Sequence, residues 1–191
     1  MIKKQAITVI AGTLVLFLWN AISWMVLPLH SNTFKNIPDS VFEEEILQKT
    51  MPESGVYHYP GLPKNNSAES LLEVENKLKN NPRITLMVYK NEPTKLFDPS
   101  IFIMSFLINL ATVLLTFYVV ARIEQKSLGK ILITTLTIGL ISVLVGDLSQ
   151  MNWYLFPLDY SLVNVFDKLI SFSLLGILFG AYTFKGFEKT Q

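Results

Sequence analysis

Four apolar stretches restrict the fold of this sequence most, because each approaches the length of a membrane-spanning helix. About 20 mostly apolar helical residues cross the roughly 30 Å of hydrocarbon in a bilayer. The stretches cover residues 6–29, 100–121, 131–148 and 162–184. Only 16% of the 191 residues are charged, against about 25% in an ordinary soluble domain. The sequence therefore predicts a multi-pass membrane protein.

The first stretch also has a feature of signal peptides, since Lys3 and Lys4 form a basic segment in front of it. Its apolar run exceeds 20 residues, whereas the apolar part of a signal peptide has about 7–15. No small-x-small cleavage site precedes the polar segment that begins at Ser31. We therefore expect residues 1–29 to be retained as the first transmembrane helix.

Basic residues in the short connections predict the orientation of the chain, because Lys and Arg there mark the cytoplasmic side. They occur before the first stretch, between the second and third, and after the fourth. These residues are Lys3, Lys4, Arg122, Lys126, Lys130, Lys185 and Lys189. The connection 148–161 has no basic residue. Both termini are therefore predicted to be cytoplasmic, with residues 30–98 on the outer side.

Residues 30–98 carry eight basic and ten acidic side chains and mix polar with apolar positions, as a small folded unit does. A capping box formed by Ser40 and Glu43 predicts one helix, and Ser67 or Ser70 opens a second that stops before Pro82. Strands are predicted at two further segments, 55–59 and 83–89.

The predicted fold class is thus a membrane all-α four-helix bundle with a small α+β extracytoplasmic domain. Residues 30–98 form that domain, inserted between the first and second transmembrane helices, and residues 99–191 form a three-helix transmembrane region.

Polar side chains near the outer ends of the predicted spans are the best candidates for a functional site. Ionisable groups within a membrane are costly, so each is a functional hypothesis. The candidates that lie at about one depth are Asn20, Asp147, Asn164 and Asp167. They predict a polar pocket in which Asp167 binds a proton or a cation. A structural role stays open, since Asp167 also fits a carboxylate near a helix start, and Lys168 can extend its ammonium outward.

Small and aromatic residues mark helix contacts and membrane boundaries. Gly176 and Gly180 form a small-xxx-small pattern that lets helices approach closely, either within one chain or between two. Amphipathic rings prefer the membrane interface. The aromatic residues predicted there are Trp19, Trp24, Trp153 and Tyr154.

Sequence motifs favour no enzymatic class. The chain has no cysteine and no G-x-S-x-G, S-x-x-K or phosphate-loop pattern. His30 and His58 lack the spacing of zinc ligands. We therefore predict no catalytic residue, no metal site and no cofactor.

Four segments together resemble a loose group of uncharacterised bacterial inner-membrane proteins that have four spans and an extracytoplasmic insertion after the first. The segments are WNAISWMVLPLH at 19–30, GVYHYPG at 55–61, RITLMVY at 83–89 and NWYLFP at 152–157. The resemblance implies a location in the bacterial inner membrane and defines no functional residues.

The leading functional hypothesis is a non-enzymatic accessory or scaffolding subunit whose outer domain contacts a partner. The alternative is a small oligomeric transporter or channel component with an outward-facing polar pocket. A membrane enzyme that acts on lipid or envelope substrates is third. Expected partners are the lipid bilayer and another membrane protein or a second copy. The net charge of +1 does not favour nucleic acid.

Overall fold

Helices dominate the structure, a computed structural model that describes residues 2–43 and 45–184. Backbone contacts divide the chain into two compact units, one formed by residues 1–34 with 96–191 and the other by residues 35–95. In chain order the helices are α1 (Ile2–Ala21), α2 (Ser40–Glu43), α3 (Ile46–Thr50), α4 (Ala68–Asn80), α5 (Pro99–Ala121), α6 (Leu128–Ser142), α7 (Ser149–Tyr154) and α8 (Leu158–Leu178).

Four helical segments of the first unit are long and apolar enough to cross a membrane. They are Lys3–Val26, Pro99–Ala121, Leu128–Tyr154 and Leu158–Ala181. This composition fits a multi-pass membrane protein. Lys185 and Lys189, which contribute to the predicted orientation, lie outside the described residues.

Local sequence signals place the ends of these helices. Pro99 begins α5, and the Asp98 side chain accepts a hydrogen bond from the Ser100 amide over 2.9 Å. Ser127 caps α6 in the same way, accepting from the Lys130 amide over 3.3 Å. The first segment ends where Leu27 becomes extended ahead of a proline, a backbone conformation that the following ring favours.

The connection between the third and fourth spans differs from the sequence prediction of a loop over 148–161. A π-helical segment, Val143–Leu148, and then α7 continue the helix to Tyr154. Only Leu155–Pro157 forms the turn, and Leu155 has a φ of 55°. Hydropathy locates where the chain becomes polar, and a helix continues past that point when its polar side chains are compatible with helical backbone. The prediction therefore ended the helix too early.

The two glycines of the small-xxx-small pattern face α6 of the same chain. A Cβ atom at Gly176 would clash with the Thr135 hydroxyl and lie 3.1 Å from the Leu132 Cα. A Cβ atom at Gly180 would clash with the Leu128 side chain. The glycines thus permit close contact between helices of the same chain. The sequence had left open whether they serve contact within one chain or between two chains.

A core of mainly apolar side chains occupies one half of the helical unit, with Thr116 and Thr135 also buried on the same helices. Val113, Val120, Ile131, Leu175 and Phe179 are fully buried there. The Phe179 ring meets an α5 ring edge-on, with centroids 5.5 Å apart. This half joins the C-terminal part of α5 to the N-terminal part of α6.

The second unit contains the two predicted strands and, in the connection between them, the second predicted helix. Strands β1 (Gly55–Tyr59) and β2 (Ile84–Tyr89) pair antiparallel, with Val56 opposite Val88. Between them lies α4, which begins at the predicted cap, where the Ser67 side chain accepts from the Ser70 amide.

Helix α4 has exposed ion pairs on its surface. Lys77 donates to Glu73 over 2.6 Å, and this hydrogen bond lowers the pKa of Glu73 below its usual value. Because both groups are in water, the pair adds little to stability.

The helix predicted after Ser40 is interrupted in the structure. It forms two short pieces, α2 and α3, that are separated at Glu45, whose φ is 54°. A residue in this left-handed conformation cannot continue a right-handed helix, so α3 starts anew at Ile46. The side chains of Glu43 and Glu44 lie outside the described residues, so the predicted capping box stays a prediction.

We predict that Gly176→Ala lowers the free energy of unfolding by about 1–3 kcal/mol, because the new methyl group overpacks the α6–α8 contact. Gly129→Ala in the first turn of α6 is the control, since a Cβ atom there meets nothing within 4 Å. The measurement is unfolding by SDS in mixed micelles. Equal stability of the Gly176→Ala variant and the wild type would contradict the close packing.

Candidate functional site

A cavity of about 640 Å³ lies between α1, α5 and α8, at an edge of the apolar core, which contributes Leu16 and Phe172 to its lining. Asn20, Asn164 and Asp167, three of the four predicted pocket residues, line it. Six further polar residues line the cavity. They are Ser105, Asn109, Thr112, Ser142, Lys168 and Ser171. The structure thus brings together polar groups from all four spans, and their functional role stays a prediction.

The other walls of the cavity are apolar and rich in aromatic rings. They are formed by Leu16, Phe17, Ala21, Trp24, Met25, Ile101, Phe102 and Phe172. By surface the lining is therefore mostly apolar, with polar side chains that can fix orientation, as in a binding site for a small organic molecule.

Two asparagines connect α1 to α5 beside the cavity. Asn20 Nδ2 donates to Asn109 Oδ1 over 3.1 Å. The Asn109 Nδ2 group is buried and makes no hydrogen bond of its own. Asn109 thus joins two helices, and its unused Nδ2 donor leaves an unsatisfied polar group at the cavity wall.

His30 is the site residue that sequence reasoning placed least well. After the π-helical segment Ile22–Val26, the chain turns and returns His30 to the end of the span, where its ring stacks on Trp24 with centroids 3.8 Å apart. The side chain is only 1% exposed. His30 Nε2 lies 3.2 Å from Ser23 Oγ and 3.5 Å from Asp167 Oδ2.

A usable sequence signal for His30 existed. The residue follows an X-Pro turn within one helical turn of the span's end, so it remains near the membrane boundary. The sequence prediction treated His30 only as a possible metal ligand and did not place it near Asp167.

The contacts of His30 do not form a nucleophilic triad. In such a triad the serine and the carboxylate contact opposite ring nitrogens. Here Ser23 and Asp167 both approach Nε2, while Nδ1 is buried without a hydrogen-bond partner. The arrangement therefore gives His30 no path for relaying a proton from Ser23 to Asp167.

Asp167 is the acidic residue that lines the cavity. It is 9% exposed, and its Oδ1 atom is buried without a hydrogen-bond partner. A buried polar atom without a partner costs about 1–3 kcal/mol of stability. A carboxylate kept in this environment is thus available to a donor that the cavity admits.

Asp147, the fourth predicted pocket residue, is not among the residues that line the cavity. The π-helical segment Val143–Leu148 carries it, and its Oδ2 accepts from Lys168 Nζ over 2.6 Å. Asp147 therefore contributes to the site through Lys168, which does line the cavity.

The predicted interface aromatics have different surroundings. Trp24 lines the cavity, the Trp19 indole nitrogen is buried without a partner, and Trp153 and Tyr154 are exposed. Their location at a membrane interface stays a prediction.

Among residues 2–43 and 45–184, no three His, Cys, Asp or Glu side chains cluster as metal ligands do. His58 Nδ1 lies 3.1 Å from the Pro60 carbonyl oxygen in the second unit. That contact occupies one nitrogen of the ring.

We predict that Lys168→Met costs about 1–3 kcal/mol of stability, because it leaves Asp147, 13% exposed, without its counter-charge. The double variant Asp147→Asn/Lys168→Met should lose less than the two single variants combined. Lys130→Met, an exposed lysine of α6, is the control. Additive losses in SDS unfolding would show that the two groups do not interact.

Comparison with protein-family models, curated proteins and solved structures gives no match for this chain. A proposal about function therefore depends on the geometry described above.

Proposed function

We propose that the protein is a non-enzymatic accessory subunit of the bacterial inner membrane whose unit 35–95 binds a partner protein. The observation that carries this proposal is the absence of an apolar core in that unit. Among its described residues, Pro60 alone is buried. A domain of this size needs buried apolar surface for stability.

Large apolar side chains of the unit are instead exposed. On one face of the two-stranded sheet, Val56 and Val88 form an exposed cross-strand pair, and Ile84 and Leu86 extend it along β2. A two-stranded sheet alone is at best marginally stable in water. A partner that covers this sheet face would bury the exposed apolar surface and stabilise the two-stranded sheet.

The charge of the unit favours a protein over an anionic membrane surface as that partner. Residues 35–95 carry eight basic and nine acidic side chains, so they gain no net attraction to anionic lipid. A partner with an apolar contact surface matches the sheet face without requiring complementary charge.

Orientation and location are part of the same proposal. The basic residues Lys3, Lys4, Arg122 and Lys126 support cytoplasmic termini and a cytoplasmic connection between the second and third spans. The unit 35–95 would then lie on the extracytoplasmic side, where it would meet the partner.

We predict that Val88→Asp prevents partner binding. A photo-crosslinker at Val56 in the full chain, in membranes, should give one protein adduct, which mass spectrometry identifies. With the purified partner, Val88→Asp should weaken binding by about tenfold or more, because burial of a valine contributes about 1.5–3 kcal/mol. Leu62→Asp, which is 80% exposed and outside the sheet, is the matched control.

The outcomes distinguish the occupants of the sheet face. A single protein adduct, together with weaker binding by Val88→Asp alone, supports the proposal. Adducts with lipid only would assign the face to the membrane surface, and adducts with the chain's own helices would assign it to intramolecular packing. Either result would overturn the proposed partner site.

A small oligomeric transporter or channel component is the second candidate, favoured by the cavity and its buried Asp167. In proteoliposomes containing a cation-sensitive dye, Asp167→Asn should abolish cation flux, while Asp159→Asn at the exposed start of α8 should retain it. Equal flux in both variants and the wild type would eliminate this function.

A further inference from the structure

We infer that the cavity between α1, α5 and α8 binds an organic ammonium ion, a protonated amine that carries a hydrocarbon group. This inference concerns the helical unit and is independent of the proposed partner site on residues 35–95. It rests on the charge of the cavity, its hydrogen-bond acceptors and its aromatic walls.

Charge around the cavity favours a cation. Asp167 lines the cavity, and Lys168 beside it is already paired with Asp147 over 2.6 Å. Among the described residues no Lys or Arg pairs with Asp167; its basic neighbour is His30 Nε2 at 3.5 Å, a counter-charge only when the ring is protonated, and Asp167 Oδ1 has no partner. Unpaired charge is expensive in surroundings of low dielectric constant, so binding of a cation is favourable.

The cavity also offers hydrogen-bond acceptors that suit an ammonium group. Asn20 and Asn164 each use their side-chain nitrogen as a donor, to Asn109 and to the Tyr160 carbonyl, so their assigned side-chain oxygens remain acceptors. The buried Asp167 supplies a third acceptor, with an oxygen that has no partner. A primary ammonium has three donors. These acceptors favour a primary amine over a quaternary one, because a quaternary ammonium has no N–H group to donate to them.

The walls indicate an organic rather than an inorganic cation. Phe17, Trp24, Phe102 and Phe172 line the cavity together with aliphatic side chains. Aromatic faces attract ammonium groups through cation–π interactions, and the same rings cover a hydrocarbon group. Ca²⁺ and Mg²⁺ are instead held mainly by carboxylate oxygens, and among the described residues that line the cavity Asp167 is the single carboxylate.

This ligand chemistry has two sources. A free amphiphilic amine could enter the cavity, or the headgroup of phosphatidylethanolamine could present its primary ammonium from the bilayer. Both place an N–H-bearing cation against Asp167, and the experiment below separates them.

The test uses the full chain in nanodiscs of phosphatidylcholine, which has no N–H group. 2-Phenylethylamine should bind and raise the Tm, whereas 2-phenylethanol and the N,N,N-trimethyl derivative of the amine should bind at least about tenfold more weakly. Asp167→Asn should weaken amine binding by a similar factor. Asp159→Asn, which changes an exposed carboxylate on the same helix, should have no effect.

A second variant keeps the test decisive if Asp167→Asn does not fold. Ala21→Phe adds a ring to an apolar wall of the cavity and removes no polar group. It should abolish amine binding and retain the Tm of the unliganded protein. Amine binding that survives Ala21→Phe would place the ligand elsewhere and overturn the inference.

Native mass spectrometry distinguishes the two sources. Retention of phosphatidylethanolamine over phosphatidylcholine, lost in Ala21→Phe, would identify the lipid headgroup as the ligand. Binding of 2-phenylethylamine without such retention would identify a free amine. Equal binding of the amine and the alcohol, or no binding of either together with no lipid preference, would overturn the inference.

Discussion

Close contact between α6 and α8 is the constraint on which the rest of the helical unit depends. Gly176 in α8 and Gly180, just after its end, let this segment approach α6 so closely that a Cβ atom at either position would clash. Gly139 accommodates the Phe172 ring in the same contact. This packing fixes the rotation of α8 about its axis. The face that carries Asn164 and Asp167 then points to the cavity beside α1 and α5.

The helical unit divides into a packed half and a polar half with different physical roles. The packed half buries Val113, Val120 and Phe179 completely, and dispersion contacts there supply stability. The polar half retains a cavity and buried atoms without partners, such as Asn109 Nδ2 and Asp167 Oδ1. Each of these atoms costs stability. A ligand that supplied the missing partners would recover that free energy on binding, which connects the construction of the cavity to the inference of an ammonium ion.

The second unit presents the opposite situation, because it has exposed apolar side chains and almost no interior. Its two-stranded sheet is held by the hydrogen bonds between β1 and β2, and α4 carries exposed ion pairs that contribute little to stability. Under the proposed function, a partner that covers the Val56–Val88 face would supply the apolar burial that this unit lacks. The two units thus raise two separate questions, a ligand for the cavity and a partner for the sheet face.

The sequence by itself determined the four long apolar helices, the cap that begins α4, and the two strands of the small sheet, because hydropathy, capping and alternation are local properties of the chain. It also identified Asn20, Asn164 and Asp167 as candidates, since polar groups in apolar stretches are visible without a structure. Only the tertiary structure decided that these side chains surround one cavity, that Asp147 acts through Lys168, and that His30 returns to Asp167. The physical reason is that each of these arrangements depends on which helix faces meet, and close packing between distant segments sets those faces.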